Sequence, residues 1–434
     1  MKEGKKIDRR AFLKTATGAA ASVVVFPYVV LSSVLGAEAP SNKITLGCIG
    51  VGSQGTSNMN GFLSKSDARV VAVCDVDRRR LAQAKRTVDE KYGNRDCATY
   101  HDFRELIARS DIDALSLAVP DHWHAIPVIA GARAGKDMYG EKPLARTIHE
   151  GKLMVEAVER YNRIWQTGSW QRSQERFRRA CELVINGRVG KVGMVEVGLP
   201  TGGGSGNPPV SPVPEGLDWD FWLGPAPWRS FIRYSDQAPH WDWRWIMDYS
   251  GGQLTDWAGH HIDIAHWGLG LDRTGPVEVE GKGEFPRDGI YDVPTAYKFT
   301  CKYANDLTMV VANDQQLPHG MGTCWYGAKG WIHVNRSGLW AEPASILDEV
   351  IGANETHLYD SRDHTQNFLD CVKTRNETVT PIDIAYRSIT VGHLGEIAML
   401  LGRKVQWDPD KLEFVSDDAA TRLMSRPMRG PWHL

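Results

Sequence analysis

The residues with the clearest chemical potential stand together in the stretch TDWAGHHIDIAHW, residues 255–267. Glycines on both sides of the stretch predict that it forms a helix. At about 100° per residue, Asp256, His260 and Asp263 fall within roughly 60° of each other on that helix, whereas His261 points away. A metal needs three or four converging ligands, and neighbouring histidines on a helix diverge. We therefore expect no metal site here, and we interpret His260 as a proton acceptor that Asp256 orients.

A second chemical signal lies near the start of the chain, in the run KITLGCIGVGSQGT. Its G-x-G-x-x-G spacing follows a strand-like segment and precedes a possible helix, which is the context of a dinucleotide-binding turn. Gly50 permits the tight turn, Gly52 lets the backbone approach a pyrophosphate, and Gly55 permits close helix packing. The free N–H groups of the helix then bind the anion. The alternative is an ordinary glycine-rich turn. The predicted cofactor contacts from this turn are Gly50, Gly52, Ser53, Gln54 and Gly55.

The next predicted strand, ARVVAVCD, ends in Asp75, twenty residues past Gly55. An acidic residue at this position accepts hydrogen bonds from the ribose diol of NAD. Arg78, Arg79 and Arg80 follow closely, and an arginine accommodates the 2′-phosphate of NADP. We therefore predict NAD as the cofactor and leave NADP open.

Strands and helices alternate through residues 43–143, which predicts a parallel, doubly wound sheet. Ligands of such sheets bind beyond the carboxyl ends of the strands. Two predicted strand ends carry polar residues, one reading PDHWH from Pro120 and the other reading EKP from Glu141. We predict that Pro120, His124, Glu141 and Lys142 line the cofactor site. For His124 the alternative is packing within the following helix.

Four stretches occur in this order along the chain: GVGSQG, VCDVD, VPDHWHAIPVIAGARAGKDMYGEKPL and GGQLTDWAGHHIDIAHWGLG. Together they resemble the Gfo/Idh/MocA family of oxidoreductases, and the likeness covers most of residues 43–402. The resemblance implies an α/β protein, with an N-terminal Rossmann domain followed by a C-terminal α/β domain that has a large, open, mostly antiparallel sheet. It also implies NAD(P)-dependent oxidation or reduction of one hydroxyl of a sugar or cyclitol.

The resemblance also assigns roles to residues at matching positions. The family's lysine falls on Lys142, its aspartate and histidine fall on Asp256 and His260, and a further substrate-binding aspartate falls on Asp263. In this arrangement Lys142 polarises the substrate oxygen and His260 takes the hydroxyl proton. The other division of labour, with Lys142 as the base and His260 as a substrate contact, stays open. So does the alternative that the polar groups of this helix are only capped and solvated.

Tryptophan is frequent in this chain, with 16 residues, and eight of them lie between residues 219 and 267. Aromatic faces could stack on sugar rings, but a well-filled core uses the same side chains, and we interpret most of these tryptophans as packing residues. Trp170 and Arg172 stand just after another predicted strand end. We expect these two residues to border the substrate.

Length and composition restrict the remaining possibilities. A chain of 434 residues exceeds one ordinary core, and the net charge of −2 leaves no basic surplus for nucleic acid. The seven cysteines are scattered singly, which argues against a disulfide framework or a zinc ribbon. We predict an NAD(P)-binding domain at residues 40–165 and a domain for substrate binding and oligomerisation at residues 166–434. An antiparallel sheet with one exposed face would need a partner, so we expect a homodimer or homotetramer.

Residues 1–39 have the pattern of an export signal, with a basic start, an apolar run and an Ala-Glu-Ala end. Arg9 and Arg10, followed by Ala-Phe-Leu-Lys, resemble the twin-arginine signal, although Asp8 stands where that motif usually has Ser or Thr. The expected location is the periplasm, or another place outside the cytoplasm, reached through the twin-arginine export machinery. An uncleaved membrane anchor is the alternative.

These features favour an NAD(P)-dependent sugar or polyol oxidoreductase. Because a cell envelope has no free NAD pool and the twin-arginine route carries folded proteins, the cofactor of an exported enzyme is expected to be tightly bound. The alternative is an NAD-dependent glycoside hydrolase or epimerase that works by transient oxidation without net redox change. The T-H-G-x-G-P run that we associate with the hydrolase branch is missing. A non-catalytic sugar-binding protein is a third class, and the joint presence of Lys142, Asp256 and His260 argues against it.

Overall fold

The structure, a computed structural model, describes residues 43–434, and the predictions made for residues 1–39 lie outside this range. Residues Ile44–Leu434 form one compact unit. The domain boundary predicted at residue 165 stays a prediction. None of the helices in the described part of the chain is long and apolar enough to cross a membrane.

The first sheet contains six strands: β1 (Ile44–Ile49), β2 (Ala68–Cys74), β3 (Ala98–Tyr100), β4 (Ala114–Leu117), β5 (Asp137–Gly140) and β6 (Trp165–Thr167). They are all parallel and lie in the order β3-β2-β1-β4-β5-β6. The chain progresses outward from β1 in one direction and then returns to β4 on its other side. A parallel sheet with this reversal has a crevice at the carboxyl ends of the strands on either side of the switch point.

Five helices accompany this sheet: α1 (Ser53–Leu63), α2 (Arg78–Tyr92), α3 (Phe103–Ile107), α4 (Ala125–Arg133) and α5 (Ile148–Arg160). Local signals set several of their ends. The side chain of Asp77 begins α2 by accepting the backbone N–H of Arg79 at 2.8 Å, and Gly93 ends that helix in the left-handed conformation at φ 66°. The helix expected after the PDHWH strand end begins at Ala125, after a separate 3₁₀ turn over Asp121–Trp123.

The second sheet contains nine strands: β7 (Val192–Leu199), β8 (Glu278–Glu284), β9 (Ala296–Lys302), β10 (Thr308–Asn313), β11 (Gly322–Gly327), β12 (Gly330–Val334), β13 (Leu339–Glu342), β14 (Val405–Asp408) and β15 (Glu413–Phe414). Their order is β13-β12-β11-β7-β10-β9-β8-β14-β15, and every neighbouring pair is antiparallel except β7 and β10. The predicted fold class, a Rossmann sheet followed by a mostly antiparallel sheet, is therefore confirmed.

Six further helices belong to the second half: α6 (Glu175–Ile185), α7 (Trp219–Leu223), α8 (Gly252–Trp267), α9 (His364–Thr374), α10 (Ile382–Leu401) and α11 (Asp418–Arg422). Two glycines of α10 allow close packing of the elements that cover the sheet. A Cβ at Gly392 would lie 3.0 Å from the Cβ of Ala258 on α8, and a Cβ at Gly395 would lie 2.6 Å from the ring of Phe299 on β9. The tight packing explains why α8 is buried on nearly every side.

Residues 214–245, which we call the strap, cross from the second half of the chain to the end of β2. The backbone N–H of Arg78 donates to the carbonyl of Gly216 at 2.9 Å, and that of Asp218 donates to the carbonyl of Val76 at 3.1 Å. The Gly/Pro-rich loop that precedes the strap forms no helix or multi-residue strand. The strap has its own apolar cluster, which includes Trp222. It therefore covers the crevice of the first sheet.

Candidate functional site

The turn between β1 and α1 requires glycine at two positions. Gly50 has φ +77°, and a Cβ there would lie 2.5 Å from the carbonyl oxygen of Ala118. A Cβ at Gly55 would lie 1.8 Å from the carbonyl oxygen of Gly50, which explains how α1 starts so close to the strand. The turn thus has the tight geometry that its spacing predicts for a dinucleotide-binding site.

The first turn of α1 provides the donors that a pyrophosphate needs. Gly52 precedes the helix without any side-chain cap, and the first turn contains no acidic residue. Its backbone N–H groups are therefore free for an anion. A Cβ at Gly52 would lie 2.2 Å from a guanidinium nitrogen of Arg80, so this arginine adds positive charge at the same place. Ser53 and Gln54 are exposed at the start of the helix. These groups fit a dinucleotide.

Asp75 follows β2 and faces the same crevice. One carboxylate oxygen accepts the backbone N–H of Val51 at 2.9 Å, and the other accepts that of Asp77 at 2.9 Å. Burial raises the pKa of Asp75 above its usual value, although these hydrogen bonds and the charge of Arg80 lower the pKa in part. Each carboxylate oxygen keeps a free lone pair, so Asp75 can still accept a ribose diol. Of the three neighbouring arginines, Arg80 is the one in the wall of the crevice.

The predicted cofactor residues meet in one cleft, with a single exception. The strap forms the opposite wall of this cleft through Phe221, Trp222 and His240. His124 is the exception: it is buried, and its ring nitrogens face the carbonyl oxygens of Val119 at 2.9 Å and Leu144 at 3.1 Å. His124 therefore packs inside the protein, which was the alternative interpretation, and does not line the cofactor cleft. The cleft-lining members of the predicted set are Gly50, Gly52, Ser53, Gln54, Gly55, Asp75, Pro120, Glu141 and Lys142.

Glu141 links the end of β5 to the glycine turn. Its Oε1 accepts hydrogen bonds from Gln54 Nε2 at 3.2 Å and from Asn58 Nδ2 at 2.9 Å, both on α1. Burial raises the pKa of Glu141, while the charge of Lys142 lowers it. Glu141 thus fixes the relative position of the two parts of the chain that would hold the phosphates and the nicotinamide.

Lys142 connects the cofactor cleft to helix α8. Its Nζ donates to Oδ1 of Asp256 at 2.8 Å, and the Nε of Arg244 lies 3.6 Å from the same oxygen. Burial would raise the pKa of Asp256, but the charges of Lys142 and Arg244 outweigh it and hold the pKa below its usual value. The carboxylate is therefore ionised, and it positions Lys142. The prediction that Asp256 orients His260 is wrong, because the carboxylate is engaged by the two cations instead.

His260 lies one turn further along α8 in a neutral state. Its side chain is buried, and its Nδ1 has no hydrogen-bond partner among the described residues. Burial, followed by the charges of Lys142 and Arg336, lowers the pKa of His260 well below 6.5. The rings of Trp257 and Trp170 flank it, with centroids 5.4 and 6.4 Å from the imidazole. A neutral imidazole in this place is free to accept a proton.

Asp263 and Arg172 were predicted to touch the substrate, but the structure pairs them with each other. Arg172 Nε donates to Asp263 Oδ2 at 2.7 Å, and its Nη2 donates to Asp263 Oδ1 at 2.9 Å. Asp272 accepts from the same guanidinium at 2.7 Å, and Trp267 packs against it. Arg172 and Asp263 are both 2% exposed. Their hydrogen bonds to each other hold α8 against residues 170–173, and neither residue lines the cofactor cleft.

The remaining histidines of α8 pack in the interior. His261 stacks on Trp257 with ring centroids 5.6 Å apart, and burial lowers its pKa to about 3. His266 bonds to the hydroxyl of Tyr303 at 2.7 Å, and burial lowers its pKa to about 4. Over residues 43–434, no group of three or more His, Cys, Asp or Glu side chains is arranged to hold a metal ion.

Two residues near the site were not singled out from the sequence. Arg244 comes from the strap and carries part of the charge around Asp256. Arg336 comes from the turn between β12 and β13, and its guanidinium carbon lies 4.4 Å from the ring centroid of Trp170 and 4.5 Å from that of Trp257. Both arginines reach the site through contacts between distant parts of the chain. The one local signal is the run WDWRW, in which aromatic residues surround Arg244.

Comparison with known proteins gives two family matches that cover most of the described chain. A model described as "Oxidoreductase family, NAD-binding Rossmann fold" matches residues 44–169. A model described as "Oxidoreductase family, C-terminal alpha/beta domain" matches residues 201–434, which is more than half of the chain. Both belong to the Gfo/Idh/MocA group.

Individual relatives share a shorter stretch. A glycosyl hydrolase family 109 protein of Shewanella sp. strain ANA-3 is 33% identical over 170 residues, which is 35% of this chain and 37% of that protein. The myo-inositol 2-dehydrogenase of Thermotoga maritima is 33% identical over 146 residues, or 34% of this chain and 42% of that protein. This chain therefore matches well under half the length of these relatives.

The fold extends over more of the chain than the sequence likeness does. The aldose-aldose oxidoreductase of Caulobacter crescentus superposes with a TM-score of 0.60 at 20% identity, covering 84% of this chain and 99% of that one. The glycine turn, the strand order and the two family matches thus agree, and the chain belongs to the Gfo/Idh/MocA oxidoreductase family, with an NAD-binding Rossmann domain at its N-terminal side.

Proposed function

We propose that the protein transfers a hydride between NAD(P) and a hydroxyl-bearing carbon of a sugar or cyclitol. The observation that carries this proposal is the position of Lys142. It lines the cleft that fits the dinucleotide, and its Nζ lies 2.8 Å from Asp256 on the helix that also bears His260. A substrate hydroxyl placed beside Lys142 would therefore meet both the cofactor and a proton acceptor.

The chemistry of this step divides between the cofactor and the protein. When bound, the nicotinamide supplies the hydride acceptor for alcohol oxidation. Asp256 holds the Nζ of Lys142 in place through their hydrogen bond, and Nζ donates a second hydrogen bond to the substrate oxygen and stabilises its negative charge. His260, which is neutral, accepts the hydroxyl proton while the C–H bond breaks. In the reverse direction His260 returns that proton to the oxygen of the carbonyl substrate.

A second candidate is a reaction that oxidises and re-reduces the same sugar, with glycosidic bond cleavage or epimerisation in between. The relatives named as glycosyl hydrolase family 109 proteins favour this candidate. The same three residues would serve it, since oxidation needs a base at the hydroxyl and re-reduction needs the protonated form of that base at the same oxygen. The two candidates differ in whether the nucleotide leaves the enzyme.

Export and self-association complete the proposal. The arginine pair and the apolar run in residues 1–39 support twin-arginine export and a periplasmic location. Exposed side chains on the second sheet, including Met194 on β7 and Trp340 on β13, support a homodimer or homotetramer formed through its open face.

The experiment begins with the nucleotide content of the extensively dialysed chain lacking residues 1–39, measured as NAD(H) and NADP(H) released per chain on denaturation. Sugars, cyclitols and their glycosides are then screened with and without added NAD, and both the nicotinamide absorbance and the products are followed. Turnover that depends on added NAD supports the dehydrogenase. Turnover by retained nucleotide, with glycoside cleavage and no net reduction, supports the second candidate. A chain that neither retains nor binds a nicotinamide nucleotide would contradict both.

A further inference from the structure

The substrate side of the site contains more positive than negative side chains. Lys142 and Arg244 share one carboxylate, that of Asp256. Arg336 lies nearby and makes no ion pair with any carboxylate of residues 43–434. This part of the site therefore has three cationic side chains and one carboxylate, which contacts two of them, and the neutral His260 adds no negative charge.

Two other acidic residues of the cleft do not alter this balance. Asp121 is buried and accepts a hydrogen bond from Ser250 at 2.6 Å, and Glu141 is buried and bonded to Asn58. Burial raises the pKa of both carboxyl groups, which disfavours their charged forms. Neither of them contacts Arg336.

The backbone around Arg336 is held in a defined position before any ligand arrives. The side chain of Asn335 accepts the backbone N–H groups of Ser337 at 2.7 Å and Gly338 at 3.1 Å, which fixes the turn. Arg176 donates to the carbonyl oxygen of Arg336 and ties the turn to α6. The fixed backbone and the two flanking rings restrict the exposed guanidinium, which lowers the conformational entropy that it loses when it binds a ligand.

The two tryptophans beside Arg336 connect it to the proton acceptor. Their rings lie 4.4 and 4.5 Å from the guanidinium carbon, and the same rings flank His260. Cation–π contact accounts for the position of the guanidinium, but it satisfies none of the N–H donors. A guanidinium has five such donors in a fork that matches a carboxylate. Trp170 and Trp257 thus hold a cation beside the reacting position.

We propose that the substrate is an acidic sugar, a hexuronic acid or its glycoside, whose carboxylate binds Arg336 while the hydroxyl to be oxidised lies between Lys142 and His260. This inference rests on the proposed function and adds the substrate class. A carboxylate on the substrate supplies the negative charge that the site lacks, and a single guanidinium binds it in bidentate fashion.

The test compares a hexuronic acid with the corresponding neutral hexose, each as free sugar and as methyl glycoside. The parent chain and the variants Arg336→Met and Arg336→Lys are assayed for kcat and KM, and ligand binding is measured by calorimetry. Arg362→Met, at a position 88% exposed and outside the site, is the matched control.

We expect the parent to prefer the uronate by at least 10-fold in kcat/KM. Arg336→Met should lose about 10- to 100-fold on the uronate, mainly through KM, and should lose clearly less on the neutral hexose, for which only the effect of the Arg336 charge on His260 is removed. Arg336→Lys should recover part of the loss.

Several outcomes would overturn the inference and leave the proposed function intact. One is equal kcat/KM of the parent for the neutral hexose and the uronate. Another is an Arg336→Met variant that loses the same factor of activity on both sugars. A third is a preference of the parent for a sugar phosphate over the uronate. Failure of the uronate to bind in calorimetry overturns it as well, even if no turnover is found. If the chain binds no nicotinamide nucleotide, the proposed function itself fails, which the nucleotide measurement shows separately.

Discussion

The carboxylate of Asp256 accepts a hydrogen bond from Lys142 at 2.8 Å. It makes no hydrogen bond to His260, although Asp256 and His260 are one helical turn apart on α8. This arrangement separates two tasks within the site. Asp256 holds the Nζ of Lys142 in place, whereas burial and the neighbouring cations lower the pKa of His260, so that this imidazole stays neutral.

The neutral state of His260 predicts the pH dependence of the oxidation. The pKa of His260 is well below 6.5, so its basic form persists as the pH falls through 6.5. The acid limb of kcat/KM should therefore lie below pH 6.5, and His260→Gln should reduce kcat/KM by about 10²- to 10⁴-fold. Rates measured from pH 5 to 9 check this, with circular dichroism as the control for folding. An acid limb above pH 6.5 that disappears in the variant would contradict the assignment.

Asp75 should determine which nucleotide binds. Its carboxylate faces the cleft beside Arg80, so the variant Asp75→Asn removes the negative charge that repels a 2′-phosphate and keeps one acceptor oxygen, for the backbone N–H of either Val51 or Asp77. We expect affinity for NAD to fall by about 10-fold, which corresponds to about 1.4 kcal/mol. We expect affinity for NADP to rise. Fluorescence titrations with both nucleotides measure this. Unchanged selectivity would show that Asp75 does not contact the ribose.

The pair of Arg172 and Asp263 should contribute to stability rather than to substrate binding. Removing one partner of a buried pair leaves an uncompensated charge, which costs about 3–5 kcal/mol, although Asp272 still bonds to Arg172 here. Asp263→Asn should therefore lower the free energy of unfolding by a few kcal/mol, while KM stays within about twofold of the parent. Denaturant unfolding and steady-state kinetics check both parts. The control is Asp236→Asn, in an exposed pair with Arg233, for which about 0–1 kcal/mol is expected.

Buried histidines of α8 should make the fold sensitive to acid. The pKa values of His261 and His266 are about 3 and about 4 in the folded protein, below the ordinary value of 6.5. Between pH 6.5 and about 4 the unfolded chain therefore binds protons that the folded chain does not, and stability falls as the pH falls. Each histidine contributes up to about 1.4 kcal/mol per pH unit.

Urea unfolding from pH 7.5 to 5 should show a shallower decline in the free energy of unfolding for His261→Phe than for the parent. His433→Gln, at an exposed position, is the control, and equal slopes for His261→Phe and the parent would contradict the prediction.

The parts of the fold that the sequence predicts best are those set by neighbouring residues. The glycine turn requires short side chains within six positions, and the strand end that carries Glu141 and Lys142 follows from the alternation of strands and helices. Because parallel strands end on the same edge of their sheet, the meeting of Asp75 and Lys142 in one cleft was predictable before any contact was known.

Contacts between distant segments were not predictable in the same way. Helix α8 is buried on nearly all sides, so its sequence has no polar face that distinguishes the cleft from the interior. Asp256 and Asp263 share one side of the helix, yet the first contacts Lys142 and the second contacts Arg172. Arg336 depends on the pairing of β12 with β13, which brings a turn far along the chain beside Trp170.

The central claim is that Lys142 joins the cofactor cleft to the reacting hydroxyl, and the most direct measurement compares nucleotide binding with hydride transfer in Lys142→Met. The control is Lys411→Met, at a surface position 68% exposed. We predict that the Lys142 variant binds NAD with a Kd within about threefold of the parent, while its single-turnover rate of hydride transfer falls by about 10²- to 10⁴-fold. Hydride transfer at the parental rate in Lys142→Met would contradict the account.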